Sequence, residues 1–242
     1  MELSSPTERQ GKGVYLAVSD LSFRYSRNER NVLEGLTLRF DSQATVITGP
    51  NGAGKSTLLR VLAGLLQPNA GVVHGDVSLG YGPQFTPAVP TFTVREQVEY
   101  ASWLAGVSRR VGLLWADEAL TRTGLQDLAA RRTTQLSGGQ LARLGLASAL
   151  ASRPRYLLLD EPTASLDPIG RKAVLAILTE LAVSGTRLVV STHTATDIRA
   201  PFDRIVVLDE GRACFDGSLK RFFAQAHEHP VVSELAEALR GH

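Results

Sequence analysis

Nine consecutive residues, Gly49-Pro50-Asn51-Gly52-Ala53-Gly54-Lys55-Ser56-Thr57, combine three glycines with one ammonium and two hydroxyls. They fit the pattern G-x-x-x-x-G-K-[ST], and they sit between an apolar run at 44–48 and a helically spaced segment at 56–65. A strand before and a helix after are the context in which this pattern forms a phosphate-binding loop. Glycines adopt dihedrals closed to other residues, so successive backbone N–H groups can converge on phosphate oxygens. The helix that follows offers its positive N-terminal end to the same anion. Lys55 is then placed to neutralise β- and γ-phosphates, and the Ser56 hydroxyl to ligate Mg²⁺.

A second constellation completes that chemistry. Tyr156-Leu157-Leu158-Leu159-Asp160-Glu161 is an apolar strand ending in two adjacent carboxylates. Such a strand puts Asp160 at the carboxyl edge of a sheet, where α/β folds bind ligands. There Asp160 can hold the Mg²⁺ shell through water, and Glu161 can orient and deprotonate an attacking water. Taken alone, Asp-Glu after a strand is more often a solvated turn. Leu136-Ser137-Gly138-Gly139-Gln140 forms a third group. Two glycines opening a helix make another anion-binding N-terminus, with the Ser137 hydroxyl as an extra donor. The same residues also satisfy a simple N-cap and turn.

A chain of 242 residues with 43% hydrophobic and 21% charged composition can bury a full core. No apolar run reaches the roughly 18 residues that cross a bilayer. The first residues, Met-Glu-Leu-Ser-Ser-Pro, lack a basic n-region and an apolar h-region, so no secretory leader is expected. A membrane role would come through a partner. The net charge is only +2, and the arginines that supply most of the cations are scattered rather than clustered. A nucleic-acid-binding stripe is therefore not expected. The single cysteine, Cys214, excludes an internal disulfide and a CxxC metal site, fits a reducing compartment, and reads as a small strand residue.

Residues 1–13 read as a flexible end. Strand-like alternation follows at 15–18 and 36–40, with a turn at 28–31 between them, and another strand candidate lies at 77–81. From Phe85 the texture becomes helical, with helices expected at 93–105, 117–123 and 126–131. Strand candidates at 156–159, 187–190, 205–208 and 213–215 then alternate with a helix at 169–181. This order predicts an α/β fold with a mostly parallel sheet, an N-terminal antiparallel β subdomain and a helical insertion at about 86–136. A short C-terminal helix at about 230–240 has Val232, Leu235, Ala236 and Leu239 available to dock on its own domain.

The pentapeptide 136–140, lying between the phosphate loop and the Asp-Glu strand, resembles the signature of the ATP-binding-cassette family. Other marks fall in family order across about residues 15–223. Tyr25 is similar to the aromatic that stacks on adenine, and Gln84 to the glutamine between core and helical subdomains, which the resemblance places beside the metal and the reacting phosphate. Ser165-Leu166-Asp167 resembles the loop linking two nucleotide sites, and His193 the switch histidine near the γ-phosphate. On residue chemistry alone, Tyr25 fits an edge-strand aromatic, Gln84 a loop amide, Asp167 an N-cap before Pro168 and His193 a structural histidine. Ala142 and Ser148 depart from the family by replacing polar or charged residues on the signature helix.

The resemblance implies ATP and Mg²⁺ as ligands and ATP hydrolysis as the activity. It implies a head-to-tail dimer, with itself or a homologous cassette, in which the P-loop of one subunit and the signature of the other enclose each ATP. It further implies an integral-membrane permease as partner and a cytoplasmic location on the inner face of the cell membrane. Segment 92–106 is similar to the helical region of bacterial exporter cassettes, so export of drugs, peptides or lipids is expected. The alternatives are an importer ATPase and a soluble cassette acting in assembly or regulation, as in iron–sulfur biogenesis.

Overall fold

The computed structural model describes residues 15–164 and 166–240. The N-terminal segment 1–13 and Ser165 of the linking loop lie outside the described residues. The chain runs through β1 (Leu16–Phe23), β2 (Leu33–Phe40), β3 (Ala44–Thr48), α1 (Lys55–Leu62), β4 (Ala70–His74) and β5 (Leu79–Gly82). Helices α2 (Val94–Leu104), α3 (Arg109–Arg122) and α4 (Gly138–Leu150) follow before β6 (Tyr156–Asp160). The remainder is α5 (Pro168–Val183), β7 (Arg187–Ser191), β8 (Arg204–Asp209), β9 (Arg212–Ser218), α6 (Leu219–Gln225) and α7 (Pro230–Arg240).

Two sheets result. One is antiparallel, in the order β2-β1-β4. The other has six strands in the order β5-β6-β7-β3-β8-β9, parallel throughout except for the β8–β9 pair. The α/β fold with a mostly parallel sheet and an N-terminal antiparallel sheet is the architecture expected.

The central strands are apolar runs because both of their faces are covered. In β6, Leu157 and Leu159 point to the side covered by α4 and α5, while Tyr156 and Leu158 point to the side covered by α1 and the antiparallel sheet. All four are at most 2% exposed, and each buried leucine contributes about 1.5–3 kcal/mol. Tyr156 also ties the two sheets together. Its hydroxyl donates to Phe40 O at 2.7 Å and accepts from Arg187 Nη1 at 2.7 Å. This packing fixes the carboxyl ends of β3, β6 and β7 side by side, where the phosphate loop, Asp160 and Ser191 emerge.

Several elements differ from expectation for identifiable reasons. β4 was not anticipated; it is a largely exposed edge strand containing Gly71 at φ 82°, so it carries no apolar alternation. The helix expected at 117–123 begins at Arg109, because Gly112 within it hides a close crossing on α2. A Cβ at Gly112 would lie 2.8 Å from Ser102 Oγ. The helix expected at 126–131 is a single 3₁₀ turn, Gln126–Leu128.

Candidate active site

The phosphate loop is built by steric necessity at its first glycine. Gly49 has φ 137°, and a Cβ there would lie 2.0 Å from Leu208 O on the neighbouring strand β8. No side chain caps the start of α1, where Gly54 takes φ 100°. The first-turn N–H groups therefore have no side-chain acceptor, which is the arrangement that favours an anion. Lys55 is 5% exposed and folds back to donate to Gly49 O and Pro50 O, both at 2.9 Å. Burial lowers its pKa from the ordinary lysine range, and the nearby charges of Glu161 and Asp160 oppose that shift.

Asp160, 1% exposed, lies buried behind Ser56 of the cleft. Its Oδ1 accepts from Ser56 Oγ and from Ser191 Oγ, both at 2.8 Å. Ser191 reaches it because β6 and β7 pair Asp160 with Ser191 in register. The same Ser191 Oγ accepts from Glu161 N at 2.9 Å. Glu161 stands at φ 47°, an uncommon left-handed conformation for a residue with a side chain. Its Oε2 accepts from Gln84 Nε2 at 3.0 Å and lies 2.9 Å from His193 Nδ1. That contact sets an imidazole nitrogen directly against the carboxylate.

These groups surround one cleft of about 530 Å³. Tyr25, Asn51, Gly52, Gly54, Lys55, Ser56, Thr57, Gln84, Glu161 and His193 all line it, together with Val32. Gly49 and Pro50 supply the carbonyls under Lys55, and Ala53 is buried beneath the loop. Tyr25 is 55% exposed; its hydroxyl is 3.1 Å from Thr57 Oγ1, and its ring meets Phe23 edge-on with centroids 5.0 Å apart.

The remaining expected residues lie outside this cleft. Ser137 caps α4 in a reciprocal box, accepting from Gln140 N at 3.3 Å while its own N donates to Gln140 Oε1 at 2.9 Å. A Cβ on Gly138 or Gly139 would meet nothing within 4 Å, while Leu136 is half-buried against the core. Asp167 caps α5, accepting from Gly170 N at 2.7 Å, and Leu166 is half-buried. Sequence reasoning missed Val32, Ser191, Thr163 and Asp197. Only Ser191 carried a signal, as the last residue of the strand beside β6.

A parallel sheet whose strand–loop–helix turn presents an uncapped helix start beside a strand-end carboxylate pair defines the P-loop nucleoside-triphosphatase class. Comparison with known proteins narrows the class. The family model described as ABC transporter matches residues 33–164. An uncharacterized ABC transporter ATP-binding protein, YxlF of Bacillus subtilis, is 34% identical over 93% of this chain and 74% of its own length. The phosphonates import ATP-binding protein PhnC of Thiobacillus denitrificans is 39% identical over 75% of this chain and 79% of its own. Among solved structures, the dimeric post-hydrolysis state of the ATP-binding cassette MJ0796, bound to ADP and Pi, superposes with a TM-score of 0.74. It shares 28% identity and covers 84% of this chain and 98% of that one.

The chain belongs to the ABC transporter family. It is the ATP-binding, ATP-hydrolysing subunit, of the kind that dimerises and works with membrane permeases. Among the described residues, no helix is long and apolar enough to cross a membrane.

Proposed function

We propose that this cassette hydrolyses ATP in the cleft at the phosphate loop, with Glu161 as general base, and that the energy drives export through a separate permease. The observation that carries the hydrolytic roles is the joint contact of Gln84 and His193 on one oxygen of Glu161 at the mouth of the cleft. Glu161 takes the proton of the attacking water. His193 and Gln84 fix the carboxylate, with His193 on the γ-phosphate side. Backbone N–H groups of 49–57 and Lys55 hold the phosphates, and Tyr25 stacks on adenine.

The oxygen donors of Ser56 and Asp160 converge within 2.8 Å of one another, the hard-ligand chemistry that suits Mg²⁺. Ser56, Gln84 and Asp160 (through water) would hold the ion, which neutralises phosphate charge when bound. Turnover that stops on chelation while nucleotide still binds supports this assignment; unchanged turnover in chelator contradicts it.

In this reading residues 14–242 form one nucleotide-binding domain, with a helical subdomain at about 86–136. Residues 136–140 act on ATP held by the partner cassette, and 165–167 lie at the dimer interface. The protein sits on the cytoplasmic face of the membrane through its permease. Export rests on the likeness of segment 92–106 to exporter cassettes. Import is the competing direction, favoured by the likeness to a phosphonate importer. The test is to purify the chain from membranes, identify the multi-span protein that accompanies it, and reconstitute the pair in vesicles with the cassette outside. ATP-driven accumulation inside supports export; ATP-driven loss of preloaded solute supports import. A soluble scaffold in place of a permease would contradict both.

A further inference from the structure

We infer that Asp197 is a positioning residue for hydrolysis, tying together the two chain segments that carry Glu161 and His193. The inference rests on the reading of Glu161 as base and His193 as its neighbour at the phosphate.

Asp197 ends the 3₁₀ turn Ala195–Asp197 and is 2% exposed. A carboxylate buried this deeply is costly unless its partners repay the lost hydration. Its Oδ2 accepts from Thr163 Oγ1 at 2.6 Å and from Thr192 Oγ1 at 3.3 Å. Thr163 lies two residues after Glu161, and Thr192 immediately precedes His193. Thr192 Oγ1 also accepts from Thr194 N at 3.0 Å, so the hydroxyl just before His193 is bonded to the residue just after it.

Glu161 is thus held from in front and from behind by one segment. Ser191 takes its N–H, and Asp197 takes the hydroxyl two residues further on. A non-glycine residue at φ 47° persists only where its surroundings over-determine it, and these two anchors do so. The grip extends to α5, where Arg171 Nη1 donates to Thr196 Oγ1 at 3.1 Å and Arg171 Nε lies 3.7 Å from Asp197 Oδ1. None of these side chains lines the nucleotide cleft. Their effect on the reaction passes through the Glu161–His193 contact.

Misplacing a reacting group by about 1 Å costs on the order of a hundredfold in rate. Asp197→Ala and Thr163→Val should each lower kcat by about 10- to 100-fold, with KM for ATP and equilibrium ATP binding within about twofold of wild type. The double variant should be no slower than the worse single one, because both remove the same tie. Thr163→Ser, which keeps the donor, should recover kcat to within about threefold. If Asp197→Ala fails to fold, Thr163→Val and Thr163→Ser carry the test, with melting temperature measured for each.

A melting temperature that falls while kcat stays within twofold would make the network merely structural and overturn the inference. So would losses carried in KM alone, or losses that multiply in the double variant. Glu161→Gln measured alongside separates the two levels. If it turns over normally, the base assignment fails; if it is inactive while Asp197→Ala keeps wild-type kcat, only the positioning role fails.

Discussion

The two glycine-rich helix starts, Gly54 before α1 and Gly138-Gly139 in α4, are built to opposite specifications. The first lies inside a finished site. Lys55 is buried, Asp160 is bonded from two sides, and Gln84 and His193 meet on Glu161. The second is closed on itself. Ser137 and Gln140 satisfy each other, and space is open over both glycines. Nothing from 136–140 lines the nucleotide cleft of its own chain. One helix start is thus uncapped beside the cleft, and the other is capped by its own side chains and lies outside it. That division fits the proposal that residues 136–140 serve ATP held by the partner cassette.

The comparison breaks first at Glu161. Glu161→Gln keeps the shape of the site but removes the proton acceptor, so turnover should fall by about 10²–10⁴-fold while ATP binding and fold persist. A rate within twofold of wild type would remove Glu161 from its role. Lys55→Ala acts on the ground state instead. Loss of charge-assisted bonds to phosphate should weaken ATP binding by about 10- to 100-fold in a direct titration. Tyr25→Ala should weaken adenine nucleotides by only about two- to tenfold and leave inorganic triphosphate binding unchanged. Equal loss for both ligands would mean the ring does not contact the base.

Outside both helix starts, Cys214 gives the smallest effect. Burial raises its thiol pKa from 9.0 to about 11, so less of it is thiolate at pH 8 than in a free cysteine. Iodoacetamide should label it more slowly in the folded chain than after unfolding. Because the folded-state value is the higher one, the thiol stabilises the fold below about pH 9, and that contribution is lost as pH rises through about 11. Equal labelling rates in the folded and unfolded chain would contradict the burial.

The same contrast explains what was legible in the sequence. Residues 49–57 and 156–161 declare themselves because their chemistry is local: glycines, a lysine and a strand end act where they stand in the chain. The central strands were legible for the same reason, being apolar runs bounded by loops. Thr163, Thr192 and Asp197 were invisible, since buried hydroxyl–carboxylate ties to Asp197, one spanning 34 residues and the other five, follow no characteristic spacing. β4 escaped because an exposed edge strand needs no hydrophobic pattern, and the first half of α3 because Gly112 serves a helix crossing rather than helix propensity. The cleft's residue types were readable; the buried contacts behind them were not.

The measurement that bears most directly on the two-subunit account is complementation between two inactive proteins. Ser137→Arg blocks the open helix start, and Lys55→Ala disables the phosphate loop. In a mixed dimer, one site joins an intact phosphate loop to an intact signature, and the other carries both lesions. Random exchange of a homodimer makes half the dimers mixed, so roughly a quarter of wild-type sites should return. Hydrolysis and ATP-dependent dimer formation are followed together, with subunit exchange verified by labelled chains. The account predicts recovery of both on mixing. If labelled subunits exchange and neither hydrolysis nor dimerisation rises above the two parents, Ser137 does not serve its partner's ATP and the account is wrong.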